Sequence, residues 1–278
     1  VLKSQSIIIN ETYNSSSTDE WIELLVVQDG LDLRGWDIRD YSSSGTAQSP
    51  LVFSSDSLWS SLRSGTIIVI ARSENTFTED LDPSDYTLTI KSNNALYFSG
   101  TVFQIAGTSE AVHVRNASQI HIIGVSWGTA NASSLPQPKV HFSAVATSST
   151  ATAFQGDSVS QLVNTANWAQ NTPTITRGAG NSTANSNWIN LLRSLTANNF
   201  INGYKYNDLN KNSVKDIDEP GLNNWRIDIH GKIQRNVVTD INGFYQFTHL
   251  DSGTYTLTEE QKPGWMQISP PMATCRIW

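Results

Sequence analysis

Oxygen-bearing side chains recur at regular positions in one twelve-residue stretch, Asp208–Glu219. They stand at positions 1, 3, 5, 9 and 12 and are Asp208, Asn210, Asn212, Asp216 and Glu219. Position 7 is Val214, which can add its backbone carbonyl oxygen. Calcium takes about six to eight oxygen ligands, and a loop with this spacing wraps around one ion and closes on a bidentate carboxylate. We therefore predict that these six residues bind Ca²⁺.

The stretch departs from an EF-hand loop in two ways. Position 6 is Ser213, where the sharp turn of such a loop favours Gly, and Pro220-Gly221 follows the last ligand, so that no helix can continue. The preceding segment, Gly203–Tyr206, is short and aromatic, which favours a strand. The loop is therefore expected to connect two strands. The alternative is a polar turn that is held by side-chain-to-backbone hydrogen bonds and binds no metal.

No other group of residues has the spacing of a catalytic or metal site. The five histidines are scattered and form no zinc pattern. Glu20 and Glu23 are three residues apart, so on a strand they point to opposite faces and cannot serve one acid–base site. Ser158 lies in a Gly-Asp-Ser-Val sequence that resembles the start of a GDSL hydrolase, but no Asp-x-x-His follows it. We predict that the chain is not an enzyme.

The composition indicates an extracellular protein. The 278 residues carry a net charge of −7, so the basic surface of a nucleic-acid-binding protein is absent. The single cysteine, Cys275, cannot form an intrachain disulfide, and no apolar run approaches the ~20 residues of a membrane span. The chain begins at Val1 without Met; a mature form after cleavage of a signal peptide would begin in this way, and so would an arbitrarily chosen segment of a longer chain. Five N-x-[ST] sequences mark candidate glycosylation sites: Asn10, Asn14, Asn116, Asn131 and Asn181.

Short apolar runs separated by turn residues fill the first two thirds of the chain. Ile7–Ile9 and Trp21–Val27 flank an Asn-Ser-Ser-Ser-Thr turn, Leu31–Asp40 alternates, and Thr66–Ala71 is continuously apolar. Further runs recur about every ten residues up to Val125. This rhythm predicts an antiparallel β-sandwich or barrel.

The same residues resemble the lamin tail domain in its prokaryotic form. The resemblance rests on INE…EWIEL, LDLRGWDI, GTIIVIA and the segment Ser158–Asn181, and it covers residues 1–185. It implies an immunoglobulin-like β-sandwich without catalytic residues, found on secreted and surface proteins. Residues 186–198 are expected to be a linker with a short amphipathic helix, because Trp188, Leu191, Leu192 and Leu195 share one helical face.

The last part of the chain, 199–278, resembles the SdrD B-like module, a relative of the Cna B-type surface domains. The sequences GYKYNDLNKNSVKDIDEPGL and TDINGFYQF carry this resemblance, which implies a small calcium-stiffened β-sandwich with the ligands named above. The hairpin with Asp240 and Asn242 either lends oxygens to a further ion or is a tight turn in which Gly243 has a positive φ. Related domains contain a Lys–Asn isopeptide bond. We expect none here, since Glu259 has an acid-like position but Tyr206 stands at the lysine position.

The final strand of such a module is not recognisable in SPPMATCRIW at the C-terminus. An open sheet edge attracts a further strand, and Ile7–Ile9 is a plausible donor from a neighbouring copy. The sequence thus predicts an all-β chain of two immunoglobulin-like β-sandwich domains in tandem. It indicates a non-catalytic extracellular or cell-surface protein, a stalk or filament subunit that self-associates by strand exchange. The alternative is an adhesin or an accessory binding module of a larger secreted protein.

Overall fold

The chain consists of two compact units, Val1–Ser194 (unit 1) and Leu195–Trp278 (unit 2). A computed structural model describes residues 5–15, 19–72, 76–101, 103–195, 199–231, 234–248, 250, 253–268 and 273–277. Within these ranges the regular structure is β-strand, apart from single 3₁₀ turns and one α-helix of 13 residues. The prediction of an all-β chain with two β-sandwich units in sequence is confirmed.

Unit 1 contains twelve described strands. They are β1 (Ile7–Asn14), β2 (Trp21–Val26), β3 (Asp37–Asp40), β4 (Leu51–Phe53), β5 (Ile67–Ala71), β6 (Thr87–Lys91), β7 (Phe98–Gly100), β8 (Glu110–Arg115), β9 (His121–Trp127), β10 (Lys139–Phe142), β11 (Thr150–Phe154) and β12 (Trp168–Thr172). Sheet A has the order β12-β11-β1-β2-β5-β6, and sheet B has the order β10-β9-β8-β3-β4-β7. All pairs are antiparallel except β5–β6 and β9–β10.

Sheet A is covered on both faces, which explains the uninterrupted apolar runs in its strands. Ile7, Ile8 and Ile9 are all fully buried, although successive side chains on a strand point to opposite faces. One face packs on sheet B. Helix α1 (Thr183–Leu195) packs against the same continuous core through Trp188, Ile189 and Leu192. Burial of apolar side chains contributes about 25 cal/mol per Å² to the free energy of folding. The fully buried side chains of β1 therefore contribute strongly to the stability of unit 1.

Helix α1 begins three residues before the predicted start at Ser186 and belongs mostly to unit 1. The unit boundary lies between Ser194 and Leu195, so most of the segment assigned to a linker is packed structure. The buried face also differs, because Ile189 is buried and Leu191 is about half exposed. The side chain of Leu195 lies outside the described residues.

Unit 2 contains six described strands in two sheets. They are β13 (Ile201–Tyr204), β14 (Arg226–His230), β15 (Arg235–Val238), β16 (Phe244–Phe247), β17 (Gly253–Glu259) and β18 (Ala273–Ile277). One sheet pairs β13 with β16, and the other has the order β15-β14-β17-β18. Aromatic and β-branched side chains fill the core between them, including Trp225, Ile229, Phe247 and Tyr255.

The structure corrects the expectation that unit 2 lacks its last strand. Residues 273–277 form β18, which pairs with β17 in an antiparallel register from Gly253↔Ile277 to Leu257↔Ala273. The sequence hid this strand because Pro270-Pro271 precedes it and only five residues are paired. The proposed donor, Ile7–Ile9, is also occupied, since β1 lies between β11 and β2 of its own sheet.

Two buried carboxyl groups face each other across β1 and β2. A bulge between Ile9 and Glu11 places Glu11 directly opposite Glu23, and both side chains are fully buried. Glu23 Oε1 accepts a hydrogen bond from Asn10 Nδ2 and Oε2 accepts one from the Gly178 amide, both at 2.7 Å. Glu11 Oε2 accepts one from Thr176 Oγ1 at 3.0 Å. The pair therefore holds the loop before α1 on sheet A.

Burial raises the pKa of both groups, to about 7 for Glu11 and about 8 for Glu23, and the charge of Glu11 adds to the shift at Glu23. The sequence did not indicate this pair. It singled out Glu20 and Glu23, and Glu20 instead accepts a hydrogen bond from the Ile105 amide and pairs with Arg72.

We predict that unit 1 loses stability as the pH rises from about 5 to 8. A carboxyl group whose pKa is higher in the folded state stabilises the fold below the unfolded value of 4.5 and loses that contribution as the pH passes the folded value. The free energy of unfolding should fall by up to about 1.4 kcal/mol per pH unit for each proton. Glu23→Gln should flatten this dependence, because glutamine does not ionise. Hydrogen exchange of the β1 amides between pH 5 and 8 measures the effect.

Asp32→Asn is the matched control, because Asp32 is an exposed carboxylate paired with Arg34 at 2.7 Å. Its pKa is lowered, so its removal should leave the dependence between pH 5 and 8 unchanged. An equal dependence in Glu23→Gln and in the unmodified chain would contradict the assignment.

Candidate metal centre

The predicted calcium loop leaves β13 and returns to β14, so it connects strands as expected. Its neck is closed by backbone pairing, with an isolated bridge between Tyr206 and Gly221. The Asn207 amide donates to the Pro220 carbonyl at 2.9 Å, and the Leu222 amide donates to the Lys205 carbonyl at 2.8 Å. This pairing fixes the two ends of the loop on the rigid part of unit 2.

Three of the predicted ligands meet at one oxygen atom. Asp216 Oδ2 accepts hydrogen bonds from Asn210 Nδ2 at 2.7 Å and from Asn212 Nδ2 at 2.9 Å. The oxygen and nitrogen of an Asn amide have nearly the same shape, so a rotation about χ2 presents the oxygen at the same position. Such a rotation would bring three oxygen atoms close together, but it would break the bonds that Asn210 Oδ1 and Asn212 Oδ1 accept from the Asn212 and Val214 amides.

The first and last predicted ligands are bound to backbone amides of the loop. Asp208 Oδ1 accepts from the Asn212 amide at 3.1 Å and Oδ2 from the Ser213 amide at 2.8 Å. Glu219 is buried, and its Oε1 accepts from the Leu209 amide at 2.8 Å and its Oε2 from the Asp216 amide at 3.1 Å. Each carboxylate oxygen has a second lone pair, so these bonds orient the carboxylates and leave further acceptor capacity.

The side chain of Val214 points into solvent, and its amide donates to Asn212 Oδ1 at 2.7 Å. The three carboxylates act together electrostatically. Burial raises the pKa of Tyr206, and the charges of Asp208, Glu219 and Asp216 raise it further. Within the described ranges, no three acidic, histidine or cysteine side chains converge at metal-binding distance. The donors are oxygen atoms, the type that a hard cation takes, and in this arrangement they are hydrogen-bonded to one another and to loop amides, so the calcium site stays a prediction.

Two residues of the loop have a left-handed backbone without being glycine. Lys211 has φ = 61° and Ser213 has φ = 64°. Ser213 is the position at which the sequence pattern favours Gly, so the turn itself is as sharp as expected. A left-handed non-Gly residue costs about 1 kcal/mol, and the bond from its amide to Asp208 offsets part of this cost.

The hairpin with Asp240 has the geometry of a tight turn. Asp240 Oδ1 accepts from the Asn242 amide at 2.8 Å and from the Phe244 amide at 2.9 Å, and Gly243 has φ = 75°. The structure thus matches the turn alternative. The hairpin also supports the calcium loop, because a Cβ on Gly221 would lie 2.0 Å from the Asn242 carbonyl oxygen.

Glu259, the acid-like residue of unit 2, pairs with a lysine that the sequence analysis did not single out. Lys205 Nζ lies 2.8 Å from Glu259 Oε1, and both side chains are largely buried. The ammonium group also lies 5.1 Å from the ring of Trp225, which contacts Trp265 edge-to-face. The absence of an isopeptide bond stays a prediction.

Four of the five candidate glycosylation sites are closed in the folded chain. Asn10, Asn14, Asn131 and Asn181 are buried, and the Nδ2 atom of each, to which a glycan would be attached, donates a hydrogen bond within unit 1. Asn116 is partly exposed and accepts hydrogen bonds through Oδ1 from the Ser118 and Ile120 amides. Sequence patterns cannot distinguish these cases, since they do not report burial.

In the described part of the chain, Ser158, the residue considered as a nucleophile, has no hydrogen bond to a histidine. The Ser158 hydroxyl contacts that of Ser160 at 3.0 Å, and His230 contacts Thr258 on an exposed strand. His113 and His121 contact each other through their Nδ1 atoms, and His141 contacts Ser126. His249 lies outside the described residues.

We predict that Gly221→Ala destabilises unit 2 by at least ~2 kcal/mol, because the added methyl group must displace the backbone of the Asp240 hairpin. Gly264→Ala is the control: Gly264 has φ = 83° but no atom within 4 Å of the added carbon, so only the backbone cost of about 1 kcal/mol applies. Urea unfolding of the two variants measures the difference. Equal losses would show that the close approach at the loop neck does not matter.

Comparison with known proteins assigns the last part of the chain. The SdrD B-like domain family matches residues 200–274. Serine-aspartate repeat-containing protein D of Staphylococcus aureus strain Newman is 39% identical over 72 residues, which are 25% of this chain and 6% of that protein. The bone sialoprotein-binding protein of strain MRSA252 is 35% identical over 68 residues, 23% of this chain and 6% of that protein. The chain thus spans only a small part of the length of the curated relatives it matches.

A solved structure of the major pilin subunit of Bacillus cereus covers 99% of this chain and 67% of its own, with 9% identity and a TM-score of 0.21. No helix in the described part of the chain has both the length and the apolar character that crossing a membrane requires. The resemblance of residues 1–185 to the lamin tail domain stays a prediction. Residues 200–274 form an SdrD B-like domain, and its relatives over that part include serine-aspartate repeat-containing proteins.

Proposed function

We propose that the chain is a non-catalytic structural part of an extracellular surface protein, in which calcium makes the SdrD B-like domain rigid. The observation that carries this proposal is the coincidence of the family match at 200–274 with the oxygen-rich loop, whose neck is closed by backbone pairing. Calcium would be held by Asp208, Asn210, Asn212, the Val214 carbonyl, Asp216 and Glu219.

The loop residues suit a stiffening role because they connect distant points of the domain. Bound calcium would supply two positive charges, which offset two of the three negative charges of the carboxylates in the loop. Glu219 is buried at the loop neck and binds the Leu209 and Asp216 amides, so it links both halves of the loop. Gly221 at the loop neck lies against the Asp240 hairpin, which leads into β16. An ordered loop would therefore also restrain this strand. Calcium binding would thus remove the conformational freedom of the loop, and the loop would then behave as part of the sandwich.

For unit 1 we propose a lamin-tail-like sandwich that serves as a rigid spacer. Two six-stranded sheets with a shared core, a covering helix and buried carboxylates that fix the loops support this role. The chain holds one cysteine, so this stability does not depend on intrachain disulfides. The location outside the cell and partners on the cell surface are part of the same proposal.

We predict that calcium raises the melting temperature of unit 2 and that chelation lowers it. A ligand at ~100 times its Kd stabilises the folded state by about 2.7 kcal/mol. Asp208→Ala combined with Glu219→Ala should abolish the response in calorimetry of the full chain. Asp240→Ala is the control, because that carboxylate serves the hairpin and should lower the melting temperature without removing the calcium response. Identical melting of the unmodified chain in calcium and in chelator would refute the metal site.

Polymerisation by exchange of β1 is a separate proposal with its own test. The exchange would remove three fully buried isoleucines from their own core, so it requires replacement by the same strand of another copy. We predict that deletion of residues 1–10 unfolds unit 1, seen as loss of protected amides. In a polymerising sample, addition of a peptide of residues 1–15 would then shorten the fibres in electron micrographs. Monomers under all conditions would exclude exchange.

A binding module, as in an adhesin, is the second candidate, and one feature of unit 2 favours it. A cleft beside the calcium loop is lined by Tyr204, Trp225 and Trp265, and by the Lys205–Glu259 pair. Tyr204 and Trp265 are about half exposed there. Aromatic residues in a cleft with a few polar groups are typical of ligand sites. A glycan or peptide array separates the two functions, since a purely structural part should bind nothing saturably.

A further inference from the structure

One edge of strand β13 in unit 2 has no partner strand. Within the described residues, β13 pairs with β16 alone. The Lys205 amide donates to the Gly243 carbonyl at 2.7 Å, and bonded residues alternate along an antiparallel pair, so Gly203 also bonds to β16. The N–H and C=O groups of Asn202 and Tyr204 therefore point to the other edge of β13.

This edge lacks the features with which proteins protect exposed strands. Edge strands are usually guarded by charged side chains, proline or a bulge, because unpaired backbone groups bind further strands. The sequence of β13 is INGY, and its pairing with β16 is continuous. Asn202 and Tyr204 are exposed, and neither is charged. The edge is thus open to an added strand.

A cavity of about 130 Å³ lies beside this edge. The ring of Tyr245 crosses β13, since a Cβ on Gly203 would lie 2.6 Å from its hydroxyl oxygen. The cavity that this ring helps to line is therefore on the side of the unpaired edge. Its apolar lining includes the buried side chains of Trp225, Ile227 and Leu257. An apolar group that enters the cavity is removed from water, which favours its binding.

The cavity has the size of one side chain. A cavity of about 150 Å³ holds a benzene ring, whereas sites for drug-sized ligands span roughly 300–1,000 Å³. Two ion pairs lie in its lining, Lys205 with Glu259 at 2.8 Å and Lys262 with Glu260 at 2.9 Å. Neither lysine is therefore free to attract an anion. An uncharged side chain suits the cavity best.

We propose that unit 2 binds an extended segment of another protein, antiparallel to β13 along its unpaired edge, with one aromatic side chain in the cavity. This inference rests on the second candidate function, in which the chain is a binding module. In strand addition, main-chain hydrogen bonds provide affinity, and a pocket for an alternate side chain provides specificity. An aromatic side chain suits the cavity because Trp225, Tyr245 and Trp265 line it.

An antiparallel pair of two β13 strands does not satisfy this site. Side chains alternate along a strand, so Ile201 and Gly203 share the core face and Asn202 and Tyr204 share the outer face. Ile201 is buried in its own core, and Gly203 has no side chain. Such a pairing would leave the cavity without an aromatic group. The occupant is therefore a segment of different sequence.

The test uses the full 278-residue chain and a blocked pentapeptide, acetyl-Ser-Thr-Phe-Thr-Ser-amide. Hydrogen exchange followed by NMR should show that the peptide saturably protects the amides of Asn202 and Tyr204. The amides of Gly203 and Lys205 are the internal control, because they already bond to β16. Replacement of the peptide Phe by Ala should weaken binding about tenfold or more, since the buried ring is lost.

N-methylated peptides test the strand pairing itself. When Phe faces the cavity opposite Gly203, the two Thr residues lie opposite Asn202 and Tyr204, and their amides bond to β13. The peptide that is N-methylated at both Thr residues should therefore give no protection. The peptide that is N-methylated at Phe should bind as before, because that N–H points away from β13. Equal effects of the two methylations would overturn the proposal.

A proline on β13 gives the matching change in the protein. Asn202→Pro removes an N–H from the unpaired edge, where proline is tolerated, and should weaken binding about tenfold or more, as measured at Tyr204. Asn202→Thr keeps the N–H and should bind normally. A thermal melt confirms that unit 2 is folded, and the methylated peptides decide the question if the proline variant is not.

The remaining outcomes separate this inference from the functions on which it rests. Protection that appears without peptide as the protein concentration rises would identify a second copy as the partner and overturn the proposal. Saturable binding of chitotriose but not of the peptide would keep the binding module and overturn strand addition. Binding of neither would exclude both. The calcium response of the melting temperature tests the structural function independently.

Discussion

Carboxylates that accept hydrogen bonds from backbone N–H groups hold the loops of both units in place. Loop amides near a core must be paired, and water cannot reach them there. In unit 1, three successive amides, Gln104, Ile105 and Ala106, donate to three different acids at 3.1, 3.1 and 2.7 Å; these are Asp40, Glu20 and Glu110. Glu11 and Glu23 do the same for the loop before α1. In unit 2, Asp208, Glu219 and Asp240 bind loop amides in the same way.

The two units differ in how they manage the charge of these acids. In unit 1 the pKa of Glu11, Glu23, Asp40 and Glu110 is raised, chiefly by desolvation, whereas Glu20 is paired with Arg72. Protonation is the means by which such groups avoid a buried charge. In unit 2, Asp208 and Asp216 are partly exposed and Glu219 is buried, and the proposed divalent cation would offset their charge. The proposed calcium site and the proposed pH dependence thus both involve carboxylates that accept hydrogen bonds from loop amides.

The outer face of sheet B shows the opposite arrangement. Arg39, Arg115 and Lys139 lie there with two histidines, and Asp37 is the carboxylate that pairs with Arg115. In a chain with a net charge of −7, such a cationic face is local, and composition does not reveal it.

The sequence by itself determined the all-β class, the loop with its six oxygen donors and the SdrD B-like domain. These features depend on the spacing of residue types along short segments, which can be read from the sequence. Only the tertiary structure placed α1 in the core of unit 1, paired β18 with β17, brought Lys205 to Glu259 and set Glu11 opposite Glu23. Each of these depends on register between strands far apart in the chain, or on burial. A single bulge beside Ile9 changes which side chains face each other, and no periodic pattern reports it.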